Sequence, residues 1–495
     1  MKRLKNFRII LLIVLIQLSA QLFVSAQELR IIHLDVGQGA GVYVDVIYPN
    51  ETISRLNSRV LIDAGDKRSK SKAFMEQLRD FARRTGNLND KTSHVQYVIA
   101  SHYDKDHVGG LIKKSNTTNA WSGLFEFANI HRAANDPERF TLGTLYDLGN
   151  LPSIFSSYSN NNTYTAYKDL ADQLVANNVL TRKIAPLNKN NPIQLANFMM
   201  GTDRIIVEMM FLTRNLRTAS GQHLNFGTPS FDFGETIFTT DNPNMLSIST
   251  FIRVKCIPQS GPEKILYTYL NVGDLESRYY ECSQLGDYPC DDTAGDEVVC
   301  VQNDLTSALI KDLAELIGPS KQIDLMTAGH HASGKSFTPY QHSLFKGIEV
   351  IEENVGNGKK RKTVKVRTEE NTDDNLKQKV KHVISQSGPG NNYNHPRTGT
   401  LLVYTKANGA TVHVVDTDRN NTKQEKEICD TNNNLFFLPA LANGTKLNDM
   451  KRPAKAKVEV KSDCKATIRI SFQSAPINTL PYAELPKGVV QYDNN

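Results

Sequence analysis

Val98-Ile-Ala-Ser-His102-Tyr-Asp104-Lys-Asp106-His107-Val-Gly109-Gly110 places four ligand-type side chains, His102, Asp104, Asp106 and His107, within six positions. The run leading into it, Val95-Gln-Tyr-Val-Ile-Ala100, is apolar and rich in β-formers, which predicts a buried strand whose end delivers these side chains onto a loop. Imidazoles and carboxylates held on a rigid strand end suit a divalent cation. The Gly109-Gly110 pair lets the backbone turn tightly behind them.

Upstream of this loop, residues 29–48 alternate apolar and polar positions on both sides of Gly37-Gln38-Gly39, the pattern of a β-hairpin. Asp35 and Gln38 in its turn are expected to serve structural or supporting roles. Arg59-Val-Leu-Ile-Asp-Ala-Gly65 is a further apolar strand, ending in Asp63 and a glycine turn. Phe74, Leu78 and Phe81 recur at helical spacing through SKAFMEQLRDFARR, with Gly86 just beyond as a stop. This half therefore has the order β-β-β-α-β, which suits a sheet covered by helices on one face.

Downstream, ligand-rich loops return at several separate strand ends. NMLSISTFIRVKCI, starting at Asn244, and Ile265 to Val272 read as strands, and the second closes on Gly273-Asp274. A helix is expected over 303–317, with Leu305, Leu309, Leu313 and Leu316 on one face. The strand Gln322–Thr327 then ends at Ala328-Gly-His330-His331-Ala-Ser333, and His382–Ser385 leads to Asn391-Asn-Tyr-Asn-His395-Pro396. Between them, 351–381 carries the basic run Lys359 to Lys362 and then acidic residues, which fits a solvated loop or edge hairpin; the alternative is an electrostatic rim for phosphate chains. Thr400–Tyr404 and Thr411–Asp416 read as a hairpin around Asn408-Gly409.

The loop sequence HxDxDHxGG resembles the metal-binding signature of the metallo-β-lactamase superfamily, in the variant found in the extracytoplasmic hydrolase domain of ComEC-type competence proteins. The LDVGQG segment at 34–39, Asn244 and Ser247, Gly273-Asp274-Leu-Glu276, His330-His331 and the block from Ile384 to Pro396 are similar to further segments of that branch. The resemblance covers roughly residues 29–418. It implies an α+β, αββα sandwich of two mixed β-sheets flanked by helices, with one or two divalent ions, zinc or manganese, at its site. Asp104 stands where most of the superfamily has a second His, and its oxygen shifts preference toward manganese or a mixed site. The implied ligands are His102, Asp104, Asp106, His107, Asp274 as a bridging carboxylate, and a His from 330, 331 or 395. Asp106, His330 and His331 are the candidate catalytic groups: Asp106 could orient the attacking water as a base, and one of the two His is a ligand or a catalytic acid. Ala332 replaces a Gly of the family segment, which asks for an ordinary backbone angle there.

Residues 111–240 are Asn-rich and weakly periodic apart from a helix using Tyr167, Leu170 and Leu174, and are read as an insertion shaping a substrate groove. His131 and His223 lie inside it as further candidate ligands. Residues 420–495 are read as a small C-terminal β appendage stapled by disulfides.

At the N-terminus, Lys2, Arg3, Lys5 and Arg8 precede an apolar run from Ile9 to Val24, and Val24-Ser-Ala26 fits a signal-peptidase site, so residues 1–26 are expected to be a cleaved signal peptide. The run is shorter than the roughly 20 residues of a membrane-spanning helix, so no stable membrane anchor is expected. Losing four positive charges takes the formal net charge from +6 to +2, so the apparent basicity is mostly the signal's, and no strong nucleic-acid-binding charge remains overall. The expected location is secreted or periplasmic. Six cysteines, at 256, 282, 290, 300, 429 and 464, follow the signal, an even number that suits disulfides in an oxidising compartment. Cys282, Cys290 and Cys300 cluster, and Cys429 and Cys464 could staple the tail. Five sequons, starting at Asn50, Asn116, Asn161, Asn420 and Asn443, would accept glycans only in a eukaryotic secretory pathway.

Together these features predict a secreted metal-dependent hydrolase. A divalent ion would lower the pKa of a bound water toward neutrality and supply the nucleophile. The resemblance implies a phosphodiester such as nucleic acid as substrate. A β-lactam, ester or amide substrate, or a non-catalytic binding protein on the same fold, are the alternatives.

Overall fold

The computed structural model describes residues 27–34, 36, 39–47, 58–66, 71–84, 93–112, 123–128, 139–150, 162–213, 232–233, 236–237, 244, 247–275, 312–332, 345–354, 362–370, 379–386, 410–415, 454–461, 463–471 and 489–494. The signal peptide, the five sequon asparagines, Asp35, Gln38, His131, His223, His395, Cys282, Cys290, Cys300 and Cys429 lie outside them, as do Thr400–Tyr404.

The chain forms two mixed β-sheets with few helices, a two-sheet α+β sandwich. Its strands in chain order begin with β1 (Gln27–His33), β2 (Val42–Ile47), β3 (Val60–Ile62), β4 (Ser93–Ile99), β5 (Phe140–Asp147), β6 (Thr181–Ile184), β7 (Ile193–Met200) and β8 (Asp203–Thr213). A two-stranded hairpin, β9 (Asp232–Phe233) and β10 (Thr236–Ile237), precedes β11 (Ser249–Ile257), β12 (Lys264–Asn271) and β13 (Gln322–Thr327). The rest are β14 (Phe345–Asn354), β15 (Lys362–Glu370), β16 (Lys379–Gln386), β17 (Thr411–Val415), β18 (Ala454–Lys461), β19 (Lys465–Ser471) and β20 (Val489–Asn494). The first sheet runs β20-β19-β18-β1-β2-β3-β4-β5-β6 and the second β17-β16-β13-β12-β11-β8-β7. Among the described residues the helices include α1 (Ser71–Arg84), α2 (Lys105–Val108), α3 (Leu124–Ala128) and α4 (Asn162–Ala176), and 312–316 is helical as well.

Periodicity explains the elements that position the site. In α1, Phe74, Met75, Leu78 and Ala82 are buried at helical spacing, so one stripe faces the sheet. Strands β3, β4, β5 and β6 are mutually parallel, and β12, β13 and β16 are parallel in the other sheet. Strands buried in this way read as near-continuous apolar runs, as Val60–Ile62 does. Parallel strands bring their carboxyl ends to one side of a sheet, where crossover loops can build a site.

Within the stretch 111–240, expected from sequence to be an insertion, the described residues supply β5 and β6 to the first sheet and β7 and β8 to the second. Ile205 to Leu212 is an apolar run interrupted only by Glu208, and its apolar side chains are buried where β8 pairs with β11. Within the C-terminal stretch expected to be an appendage, the described strands join the first sheet. Strand β18 pairs antiparallel with β1 along its whole length, from Gln27 against Val460 to His33 against Ala454, and continues the first sheet through β19 and β20. The alternation Ala456, Val458, Val460 turns one face inward and removes β1 as an exposed edge.

Cys464, in the β18–β19 turn, forms a disulfide with Cys256 on β11 rather than with Cys429, so it ties this C-terminal hairpin to the second sheet. The mixed-charge segment forms the hairpin β14–β15, which pairs with neither sheet. Strand β17 runs parallel to β16. Among the described residues no helix is long and apolar enough to cross a membrane.

Candidate metal centre

Every site residue sits just beyond the carboxyl end of a strand. Strand β4 delivers His102, Asp104, Asp106 and His107, the last two within the single turn α2; β12 delivers Asp274; β13 delivers His330 and His331. The first four come from one sheet and the other three from the second.

Two overlapping groups result, His102 with His107 and Asp274, and Asp106 with His107 and His331; in each, one ligand atom per residue lies within 4.8 Å of the others. Asp274 lies at the centre, with Oδ1 3.0 Å from His107 Nε2 and Oδ2 3.5 Å from His331 Nε2, 3.7 Å from His330 Nε2 and 3.8 Å from His102 Nε2. Asp106 Oδ2 is 3.4 Å from His331 Nε2, and Asp104 Oδ2 is 3.4 Å from His102 Nε2. His102 and His107 are fully buried, while Asp104 and His330 stay partly open to solvent.

Hydrogen bonds fix which ring nitrogen faces inward. His107 Nδ1–H donates to Asp63 Oδ2 at 2.8 Å, and His331 Nδ1–H donates to the Gln386 carbonyl at 2.7 Å. His102 Nδ1 lies 3.1 Å from Ser101 Oγ and 3.3 Å from Ser247 Oγ, either of which can accept its proton. In the neutral rings with these protons outward, each Nε2 presents a lone pair to the centre. The Nε2 atoms of His107 and His331 lie 3.2 Å apart. Ligands about 2.1 Å from a common divalent ion are about 3.0 to 3.4 Å from each other, so the observed spacings suit a shared cation. His102 Nε2 is buried and makes no hydrogen bond, so it could serve as a ligand. Zinc accepts imidazole and carboxylate ligands, and the oxygen-rich set around Asp104 suits manganese.

The electrostatics point the same way. Burial alone would suppress charge on His107, yet Asp274 and Asp63 beside it raise its pKa well above the ordinary imidazole value. Burial pushes Asp274 upward, but His107, His331 and His330 hold it well below the usual carboxylate range. Asp106 is likewise lowered: burial acts against it, and the hydrogen bond to His331 with the charges of His107 and His331 outweighs that. Clustered buried carboxylates thus demand compensating positive charge, which protons or a divalent cation can supply.

Asp63 was not legible as a site residue. It is fully buried at the end of β3 with φ +57, and its two oxygens accept Ser101 N–H at 2.8 Å, Ser101 Oγ–H at 2.7 Å and the His107 ring proton. The signal available was a carboxylate at the end of an apolar strand followed by Ala-Gly, the same pattern in mirror order as Gly-Asp274. Gln386 was also missed. Ala332, expected to take an ordinary backbone angle, is left-handed at φ +63, following His330 at +42 and His331 at +52. Three consecutive strained residues swing both imidazoles toward the centre.

Behind the loop, Tyr103 is buried against Tyr164 and Tyr167 of α4 and donates to the Gly149 carbonyl. Buried Asp147 accepts from Tyr167 Oη, Arg182 Nε and Gly149 N, so the β5–α4–β6 unit supports the metal loop from beneath. Gly39 makes the closest approach from the first hairpin: at φ +116, a Cβ there would lie 1.9 Å from the Asp106 carbonyl oxygen.

No family model matches the chain, and no curated protein matches it.

Proposed function

We propose that this protein is a secreted or periplasmic metal-dependent hydrolase of the metallo-β-lactamase fold, nearest to the ComEC-type hydrolase domains, acting on phosphodiesters such as nucleic acid. The observation that carries the proposal is the meeting, across two sheets, of His102, His107 and Asp274 with Asp106 and His331. In this reading His102, Asp104 and Asp274 hold one ion and Asp106, His107, His331 and Asp274 the other. The ions, when bound, supply Lewis acidity and an activated water.

The chain's own groups do the rest. Asp63 and the Gln386 carbonyl keep the Nδ1 protons of His107 and His331 outward, so that both Nε2 atoms remain donors to metal. Asp106 would serve as one of the metal ligands or, instead of ligating, orient the attacking water as a base. His330 is the most open imidazole of the set, so in this reading it is the group that would pass a proton to the leaving oxygen. Asp274, close to His102, His107, His330 and His331, would be the carboxylate shared between the ions in this reading.

Elemental analysis of the purified protein, with assays on bis(p-nitrophenyl) phosphate, single-stranded DNA and a chromogenic β-lactam after zinc or manganese addition, tests the reading. Bound metal and phosphodiester turnover, both abolished by His102→Ala or Asp106→Ala in folded protein, are expected. Hydrolysis of the β-lactam alone would overturn the substrate class, and metal-free protein inert on all three would overturn the enzyme.

A further inference from the structure

We propose that Gln386 and His33 are positioning residues that brace the inner metal subsite through the β1–β2 turn, an inference that rests on the metal-centre reading above. The contacts form a closed ring. Ala40 N–H donates to the Asp106 carbonyl at 3.1 Å, which fixes the first-sheet side of the subsite. One residue on, the Gly41 carbonyl accepts from Gln386 Nε2 at 3.3 Å and from Leu34 N–H at 2.8 Å, and the Leu34 carbonyl accepts from Gln386 Nε2 at 3.1 Å. The Gln386 carbonyl accepts the His331 ring proton at 2.7 Å, and His331 Nε2 closes the ring 3.4 Å from Asp106 Oδ2.

The ring therefore spans both sheets and passes through a metal ligand from each. Its weakest point is the GHHA turn, where three consecutive non-glycine residues are left-handed, a conformation costing on the order of 1 kcal/mol or more per residue that surrounding contacts must hold. Those contacts are His330 N–H to the Gly273 carbonyl at 3.1 Å, Ser385 Oγ–H to the His331 carbonyl at 3.3 Å, and His331 to Gln386. The last orients the ring that must face the metal, and the Gln386 side chain ties the strand end that carries this carbonyl to the β1–β2 turn.

His33 locks that side chain. The ring is fully buried, its Nδ1–H donates to Gln386 Oε1 at 3.3 Å, and its edge packs on Tyr269 with centroids 5.9 Å apart. With Oε1 occupied by His33, the amide must point Nε2 at the two turn carbonyls, so the Gln386 rotamer has one solution. Ala40, Asp274, His331 and Gln386 also line a small shared cavity, which places the brace directly against the centre.

The test compares Gln386→Met, His33→Phe and His33→Asn with wild type and with Val383→Ala, a buried change on the same strand that leaves the ring intact. Zinc and manganese titrations against a chromogenic chelator give the affinities, thermal melts of metal-free protein give the stabilities, and imidazole nitrogen shifts give the His331 tautomer without metal. Gln386→Met is expected to weaken the tighter metal about 10- to 100-fold, the range for an outer partner of a ligand, and to mix the His331 tautomers. His33→Phe should weaken it less, and His33→Asn, which keeps a donor for Oε1, should restore most of the loss. Val383→Ala should melt lower with unchanged affinity. The proposal is overturned if Gln386→Met binds metal within twofold of wild type, or if Val383→Ala weakens binding as much. If wild type binds neither metal, the functional reading falls, and the tautomer alone decides the brace: a His331 ring unchanged by Gln386→Met overturns it.

Discussion

Asp63→Asn isolates one hydrogen bond behind the metal centre. Asparagine tolerates φ near +57 about as well as aspartate, so the backbone is not the perturbed variable. The amide oxygen can keep Ser101 N–H, now 2.8 Å from Asp63 Oδ1, and the Ser101 hydroxyl can reverse its role. His107 cannot do so without consequence. An NH2 in place of Oδ2, 2.8 Å from His107 Nδ1, forces that nitrogen to accept and moves the proton to Nε2, the atom 3.0 Å from Asp274 and 3.2 Å from His331 Nε2. The lone pair offered to the metal is lost in the favoured tautomer. Metal affinity should fall about 10- to 100-fold, roughly 1.4 to 2.7 kcal/mol. The metal-free fold should lose about 1.5 to 3 kcal/mol with the charge-assisted bond. Chelator-competition titration and urea unfolding in EDTA measure the two separately. Affinity unchanged within twofold would show that Asp63 does not set the His107 tautomer and would refute the reasoning.

Four further outcomes are expected. Because the ligands come from both sheets, metal at a hundred times its dissociation constant should stabilise the protein by about 2.7 kcal/mol, read as a melting temperature lowered by EDTA and restored by zinc or manganese. Gly39→Ala should cost about 3 kcal/mol by urea unfolding, since its Cβ would overlap the Asp106 carbonyl and its φ is +116. Reducing Cys256–Cys464, whose residues are 208 apart in sequence, should cost up to about 5 kcal/mol by the chain-entropy relation; a Cys464→Ser protein as stable as wild type would argue against the staple. Burial lowers His33 and His382 to about 4 and His413 to about 3, the charge of Lys381 adding to the effect at His382 and those of His382 and His33 at His413. Between those values and about 6.5 the unfolded chain binds more protons, so stability is full above about pH 6.5 and declines as pH falls toward 4. His413→Leu should flatten that slope in melts at successive pH values, by up to about 1.4 kcal/mol per pH unit.

Local sequence carried the elements that direct the chain to the site. The apolar run before His102, the Gly-Asp pair at 273–274 and the His pair at 330–331 each marked a strand end, because burial on both faces leaves an apolar signature and a polar loop interrupts it. The same signals left pairing undetermined. The strands within 140–213 were not read from sequence, those within 454–471 were, and sheet membership in both is a matter of non-local hydrogen bonds: neither the parallel seat of β5 beside β4 nor the antiparallel seat of β18 beside β1 leaves a mark in the strand's own sequence.

The amino-acid sequence by itself determined which candidate ligands the motif His102-x-Asp104-x-Asp106-His107 offers, since spacing on one loop fixes what can converge locally. Only the tertiary structure decided which distant groups complete it. Asp63, Gln386 and His33 lie tens to hundreds of residues from the side chains they orient, and their roles come from buried hydrogen bonds that exist once the two sheets dock. A buried donor or acceptor must find a partner, and the folded packing alone dictates which one it meets.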